Sequence, residues 1–162
     1  DARGTFVKVF HRDAFAALGL ETEFPEEYYS CSRQGVIRGL HFQVPPAAHA
    51  KLVFCVQGLV QDVVVDLRAG SPTFLNWHAE ELAPQNACML VIPEGCAHGF
   101  QVLDAGSELF YLHTAFYTPA AEGGLRHDDP MLGIDWPLPV TDLSSRDLVH
   151  PLLCQDFSGI SS

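Results

Sequence analysis

The chain has no C-x-x-C pair, no H-x-H or H-x-x-x-H spacing, no long apolar run and little positive charge. Its five cysteines (Cys31, Cys55, Cys88, Cys96, Cys154) are odd in number and several sit in apolar stretches, where a thiol acts as a small hydrophobe. A disulfide scaffold or a zinc-cysteine site is therefore not expected. The eight histidines never take the close strand spacing of a metal-binding barrel, and neither a metal nor another cofactor is expected. No apolar stretch approaches the roughly 18 residues that a bilayer-spanning helix needs, and the chain opens Asp-Ala-Arg-Gly rather than with a basic and then apolar leader. A soluble, cytoplasmic protein is the expectation. Nine basic residues against twenty acidic ones give a net charge of −11, which excludes general affinity for nucleic acid or acidic lipid. A phosphate-bearing small molecule stays open, because a few cations in one cavity outweigh the global charge locally.

At 162 residues, 48% hydrophobic and 18% charged, the chain fits one domain over 1–162 with room for a core and a cavity. Short strand-like segments bounded by Gly and Pro dominate: 35–43, 51–56, 59–67, 87–92 and 109–116. Gln57-Gly58 reads as a hairpin turn between the second and third of these, and Pro93-Glu94-Gly95 as another turn. The run Asp62-Val-Val-Val-Asp66 suggests a strand covered on both faces. A short helix is expected only over 12–19, with Asp13 near its start. From Thr118 onward Pro, Gly and Asp suggest loops and short helical turns laid over the strands. The pattern is that of an all-β antiparallel barrel or sandwich.

Three clusters can carry chemistry: Arg38-Gly-Leu-His41 with Lys51 ten residues on, Ala97-His98-Gly99, and Tyr111 with Tyr117. Arg146-Asp147 adds a late carboxylate. If they share one cavity, His41 is a base, Asp147 orients its ring and Lys51 stabilises an oxyanion beside a ketone. Tyr111 then supplies a proton from the opposite face, and Arg38 offers a planar fork to phosphate. Each also has a bland reading. His41 and His98 can be hydrogen-bonded structural residues, Tyr111 a packing residue, Lys51 a snorkelling chain and Asp66–Arg68 a surface ion pair. Spacing and composition alone leave the function open.

The ordered series GVIRGLHFQ (35–43), KLV (51–53), GLVQDVVVDLR (58–68), GSPT (70–73), IPEGCAHGF (92–100), 111–119, GIDWP (133–137) and LSSRD (143–147) resembles the dTDP-4-dehydrorhamnose 3,5-epimerase family. The likeness runs over nearly the whole chain, starting one strand into the family's pattern, as if the amino terminus were trimmed. It implies a cupin-like jelly roll with short helical segments near both ends. It implies a cofactor-independent epimerase of a nucleotide-linked 4-keto-6-deoxyhexose, inverting C3 and C5 through an enolate, in deoxysugar (rhamnose-like, lipopolysaccharide) biosynthesis. In that reading His41 is the base paired with Asp147, Tyr111 is the acid, and Lys51 and His98 surround the ketone. Arg3 and Arg38 meet the pyrophosphate, Tyr117 stacks on the base, and Glu122 and Arg146 line the same site. The family works as a dimer, with the early strand around Phe6 reaching the neighbour's nucleotide site.

The sequence departs from the family's pattern in the nucleotide pocket. Lys8 stands where a glutamate usually faces thymine, and Glu26 and Tyr28 replace a glutamine and an asparagine. Lysine cannot accept the thymine N3 proton, so dTDP, CDP and GDP all stay open as carriers. A single-carbon epimerase, a ketoisomerase, a catalytically silent sugar-nucleotide-binding cupin and a metal-dependent cupin are the competing readings.

Overall fold

Each of the five Gly- and Pro-bounded apolar segments overlaps a strand. The computed structural model describes residues 1–161. In chain order it contains α1 (Arg12–Ala17), β1 (Glu26–Ser32), β2 (Ile37–Gln43), β3 (Lys51–Gln57), β4 (Val60–Asp66), β5 (Trp77–Leu82) and β6 (Met89–Ile92). There follow β7 (Cys96–Val102), β8 (Ser107–His113), a short 3-10 turn (Pro119–Ala121), β9 (Glu122–Gly124) and α2 (Ser145–Leu148). The strands form a four-stranded sheet in the order β1-β8-β3-β6 and a five-stranded sheet in the order β5-β4-β7-β2-β9. Every paired strand is antiparallel. The result is a jelly-roll sandwich, the all-β class expected.

Two apolar clusters hold it. Val53, Cys55, Val60, Phe100, Val102 and Leu109 meet between the sheets. Leu40, Val63, Val65, Ala97, Leu125 and Leu132 form the second, with Ile134, Trp136, Leu153 and Phe157 packed on them. The chain after Gly124 therefore covers the outer face of the five-stranded sheet. This cover explains the unbroken apolar run of β4, whose inward and outward valines both need burial.

The chain bends at Gly58, but the expected hairpin does not form: β3 pairs with β8 and β6, whereas β4 pairs with β5 and β7. Gly58 takes φ 82°, a conformation that favours glycine, and any side chain there would also overlap Ser107. Ser107 Oγ accepts from the Leu59 N–H and donates to the Leu59 carbonyl, each at 3.1 Å, so the chain is pinned to the start of β8 and passes into the other sheet. The first helix is capped by His11, whose Nδ1 accepts from the Ala14 N–H at 3.4 Å, with Asp13 inside the first turn. Asp66 is no surface ion pair. It is buried and accepts from Arg68, Ser71 Oγ (2.6 Å) and Thr73 Oγ1 (2.6 Å), which hold its carboxyl well below the usual range and fix the 66–73 turn.

One irregularity positions the site. Along β2 the pairing with β7 runs Ile37–Gln101, Arg38–Phe100 and then His41–His98, so β2 carries one extra residue. Without this bulge Arg38 and His41, three apart, would face opposite sides of the sheet; with it both face inward. Gly39 makes it possible: its φ is 124°, and a Cβ there would stand 2.5 Å from the Gly99 Cα.

Candidate active site

The inward residues of the strands grade from apolar to polar toward one end of the sandwich. On β8 they run Leu109, Tyr111, His113; on β3 Cys55, Val53, Lys51; on β7 Val102, Phe100, His98; on β4 Val60, Asp62. The apolar end closes as core. The polar end opens as a cavity of about 650 Å³ lined by Arg38, His41, Lys51, His98, Tyr111, Arg146, Asp147 and Tyr28. A second lobe of about 360 Å³ shares Tyr28, His41, Lys51 and Arg146 and adds Glu26, His49, His113, Tyr117 and Glu122.

His41 Nε2 lies 2.7 Å from Asp147 Oδ1. Burial alone would raise Asp147, but the His41 hydrogen bond and charge, the Gly39 N–H and the Ser144 hydroxyl outweigh it and hold the carboxyl at about 2. It is thus ionised and can only accept, so Nε2 carries the proton and Nδ1 keeps the free lone pair. Asp147 is fixed in turn: it is the third residue after Ser144, the cap of α2, whose Oγ accepts from its N–H at 3.0 Å. The Arg146 guanidinium lies beside the pair, Nη2 being 3.1 Å from His41 Nε2, and is anchored on Glu122 at 2.6 Å.

Across the cavity Tyr111 is buried, and its hydroxyl shares a 2.9 Å hydrogen bond with Ser30 Oγ. Burial first, then nearby Asp62, pushes the phenol up, so it stays protonated through the neutral range. Lys51 points inward rather than to solvent; burial lowers it to about 8, opposed by Glu122 and Asp62. His98 is buried with Nε2 2.9 Å from Asp62 Oδ2, a second histidine–carboxylate pair within the same cavity. Arg38 donates from Nε to Ser32 Oγ at 2.8 Å. In the second lobe Tyr117 donates to Glu122 at 2.8 Å, and Glu26 accepts the Tyr117 N–H at 3.0 Å. Tyr28 stacks on His113 (4.8 Å) and against Tyr111 (4.9 Å); burial and then Glu26 raise its phenol to about 12.

Several residues here carry no sequence signal. Asp62 reads only as part of an apolar strand. His49 and His113 stand edge to face at 4.8 Å, lowered to about 4 and about 3 by burial and then Lys51, each with an unpartnered Nε2. His150 joins His41 and Asp147 in a cluster whose ligand atoms lie within 4.8 Å of one another. Spacing rules seek ligands close in sequence and cannot find a group assembled across more than 100 residues. Arg3, Phe6 and Lys8 are not brought to the cavity of their own chain. Arg3 is exposed and pairs with Asp1, Phe6 is 92% exposed, and Lys8 lies with Val7 and Val9 on a separate groove over Phe54 and Val56.

The family model described as dTDP-4-dehydrorhamnose 3,5-epimerase matches residues 1–155. The chain belongs to this family. It is 42% identical over 157 residues to the dTDP-4-dehydrorhamnose 3,5-epimerase of Sinorhizobium fredii, covering 96% of this chain and 80% of that protein. It is 43% identical to a dTDP-4-dehydrorhamnose 3-epimerase of Streptomyces niveus, covering 96% and 75%. The solved 3,5-epimerase of Bacillus anthracis, with TDP and pyrophosphate bound, superposes with a TM-score of 0.91 at 38% identity, covering 94% of this chain and 88% of that one. Membership fixes this chain as an isomerase-family cupin. Near-equal identity to a 3,5- and a 3-epimerase leaves overall likeness unable to choose between them. Among the described residues no helix is long and apolar enough to cross a membrane.

Proposed function

We propose that the chain epimerises a nucleoside-diphospho-4-keto-6-deoxyhexose at C3, C5 or both, without a cofactor, as a step in deoxysugar biosynthesis. The C4 ketone acidifies the neighbouring C–H bonds. His41 Nδ1 removes one of these protons, and the resulting imidazolium is held by Asp147 through Nε2–H. The electron pair moves onto the C4 oxygen, where the Lys51 ammonium and the His98 ring stabilise the enolate. Tyr111 returns a proton to the same carbon from the opposite face, which inverts it. Arg38 binds the diphosphate. The observation that carries this reading is the placement of the His41–Asp147 pair, Lys51 and protonated Tyr111 around one cavity.

The second lobe suits the nucleoside end, with Tyr117 for stacking and Glu26 and Glu122 as acceptors. Glu26, Tyr28 and Lys8 make dTDP, CDP and GDP all worth testing. Arg3, Phe6 and Lys8 can serve the site only from a second copy, so an exchanged amino-terminal segment in a homodimer completes the proposal; the exposure of Phe6, Val7 and Val9 fits it.

The test is incubation with dTDP-4-keto-6-deoxyglucose, with NMR identification of the product, beside a thermal-shift panel of dTDP, CDP and GDP. Conversion to the C3-, C5- or doubly inverted sugar supports the reading. Failure to convert this sugar or its CDP- and GDP-linked counterparts, each incubated in the same way, with no nucleotide stabilising the fold, overturns it.

A further inference from the structure

His150 has no part in the proton transfers above, yet it stands against the base pair. Its Nε2 is buried without a hydrogen-bond partner and lies 3.7 Å from Asp147 Oδ1, too long for a hydrogen bond. Its ring sits edge-on to that of His41 with centroids 5.9 Å apart. The ring fits there only because residue 124 of β9 is glycine; any side chain at Gly124 would overlap it.

We propose that His41, Asp147 and His150 form a site for a zinc-class divalent cation that switches off the base when filled. The binding half of this inference stands alone, and the inhibition half rests on the function proposed above. Two imidazoles and a carboxylate are the donor set of many three-ligand zinc sites that keep a fourth position open. Zinc–ligand bonds of about 2.0–2.1 Å place tetrahedral donors roughly 3.3 Å apart. The separations of 2.7 Å and 3.7 Å from Asp147 Oδ1 bracket that value, and all three donor atoms lie within 4.8 Å of one another, so the two imidazoles must swing toward each other to close on a cation.

The switch follows from the two nitrogens of one ring. A neutral imidazole holds one proton and one free lone pair. In the metal-free pair the proton is on Nε2 and the lone pair on Nδ1. A cation taking Nε2 moves the proton to Nδ1, and the ring can no longer accept one from the sugar. The two states exclude each other. The Arg146 guanidinium, 3.6 Å from Asp147 Oδ1, opposes the cation and must lean toward Glu122. The site is therefore weaker than a structural zinc site.

The experiment uses chelator-treated full-length protein titrated with Co²⁺ and Zn²⁺. Binding is read from the visible absorption of tetrahedral Co²⁺ and its displacement by Zn²⁺. Deuterium exchange into the keto sugar is followed in parallel. The expected result is one equivalent per chain, with exchange lost as zinc fills the site and restored by chelator. His150→Ala and the bulkier His150→Gln should each weaken binding at least tenfold while keeping metal-free exchange within about twofold. Either variant, once folded, decides the matter. Binding that is undiminished in these variants, or absent from the parent protein, overturns the inference. Stoichiometric, His150-dependent binding in a protein that never exchanges the sugar would retain the metal site and reject the proposed reaction.

Discussion

Replacing Asp147 by asparagine removes one charge and little volume, and the structure sets the size of the effect. The carboxyl is 3% exposed and is held at about 2 against a usual 3.8, despite the opposing effect of burial. At about 1.4 kcal/mol per unit, this is roughly 2 kcal/mol of net preference for the ionised form, much of it shared with His41. The amide oxygen of Asp147→Asn can still accept the Nε2–H bond but no longer stabilises the imidazolium. Proton abstraction should therefore slow by about 10- to 100-fold, while nucleotide binding, which depends on Arg38 and the second lobe, changes less than about twofold. Deuterium wash-in at C3 and C5, followed by NMR in D₂O, measures the first quantity and calorimetry with the preferred nucleotide the second. A slowing below threefold would refute the assignment of Asp147 as the partner of the base. Stability gives an independent reading. A depressed carboxyl contributes stability above about pH 4 that is lost as pH falls through about 2, and the asparagine variant should lack this loss.

Three further outcomes follow from the same geometry. Lys51 acts as a cation, so kcat/KM should fall as pH rises through about 8; Lys51→Arg should move that limb upward and Lys51→Met should abolish it, as a pH profile will show. Tyr111→Phe removes the donor on the far face while leaving His41 intact, so net inversion should drop at least tenfold more than nucleotide binding does, read by product analysis against calorimetry. Gly39→Ala sets a Cβ 2.5 Å from the Gly99 Cα at φ 124°, so chemical denaturation should show a loss of about 2–4 kcal/mol, with misaimed Arg38 and His41 lowering activity in whatever folds.

The strands are partly legible in the sequence. Segments with Val, Ile and Leu between Gly and Pro read as strands, and β2, β3, β4, β6 and β8 fall on them. The Glu-Glu-Tyr-Tyr-Ser-Cys-Ser stretch of β1 does not, because its inward face is polar and lines a cavity, which erases the apolar alternation. The expected hairpin between β3 and β4 fails because turn chemistry records a reversal, not the sheet in which the next strand pairs. Within the site, the Arg38-Gly-Leu-His41 motif is visible but its geometry is not, since three-residue spacing in a regular strand puts its ends on opposite faces and only the bulge brings them together. The His41–Asp147 pairing spans 106 residues, which no local pattern encodes; the family resemblance supplies it. Asp62 falls inside the 58–68 motif with nothing there to signal its role, and His150 lies outside every motif; burial and unpartnered atoms reveal both.

The proton abstraction by His41 is tested most directly by solvent exchange in His41→Ala with the keto sugar of the preferred nucleotide. Deuterium should no longer enter C3 or C5, while the nucleotide binds as it does to the parent protein. Deuterium entering either carbon at the parent rate would contradict the role of His41 as the base.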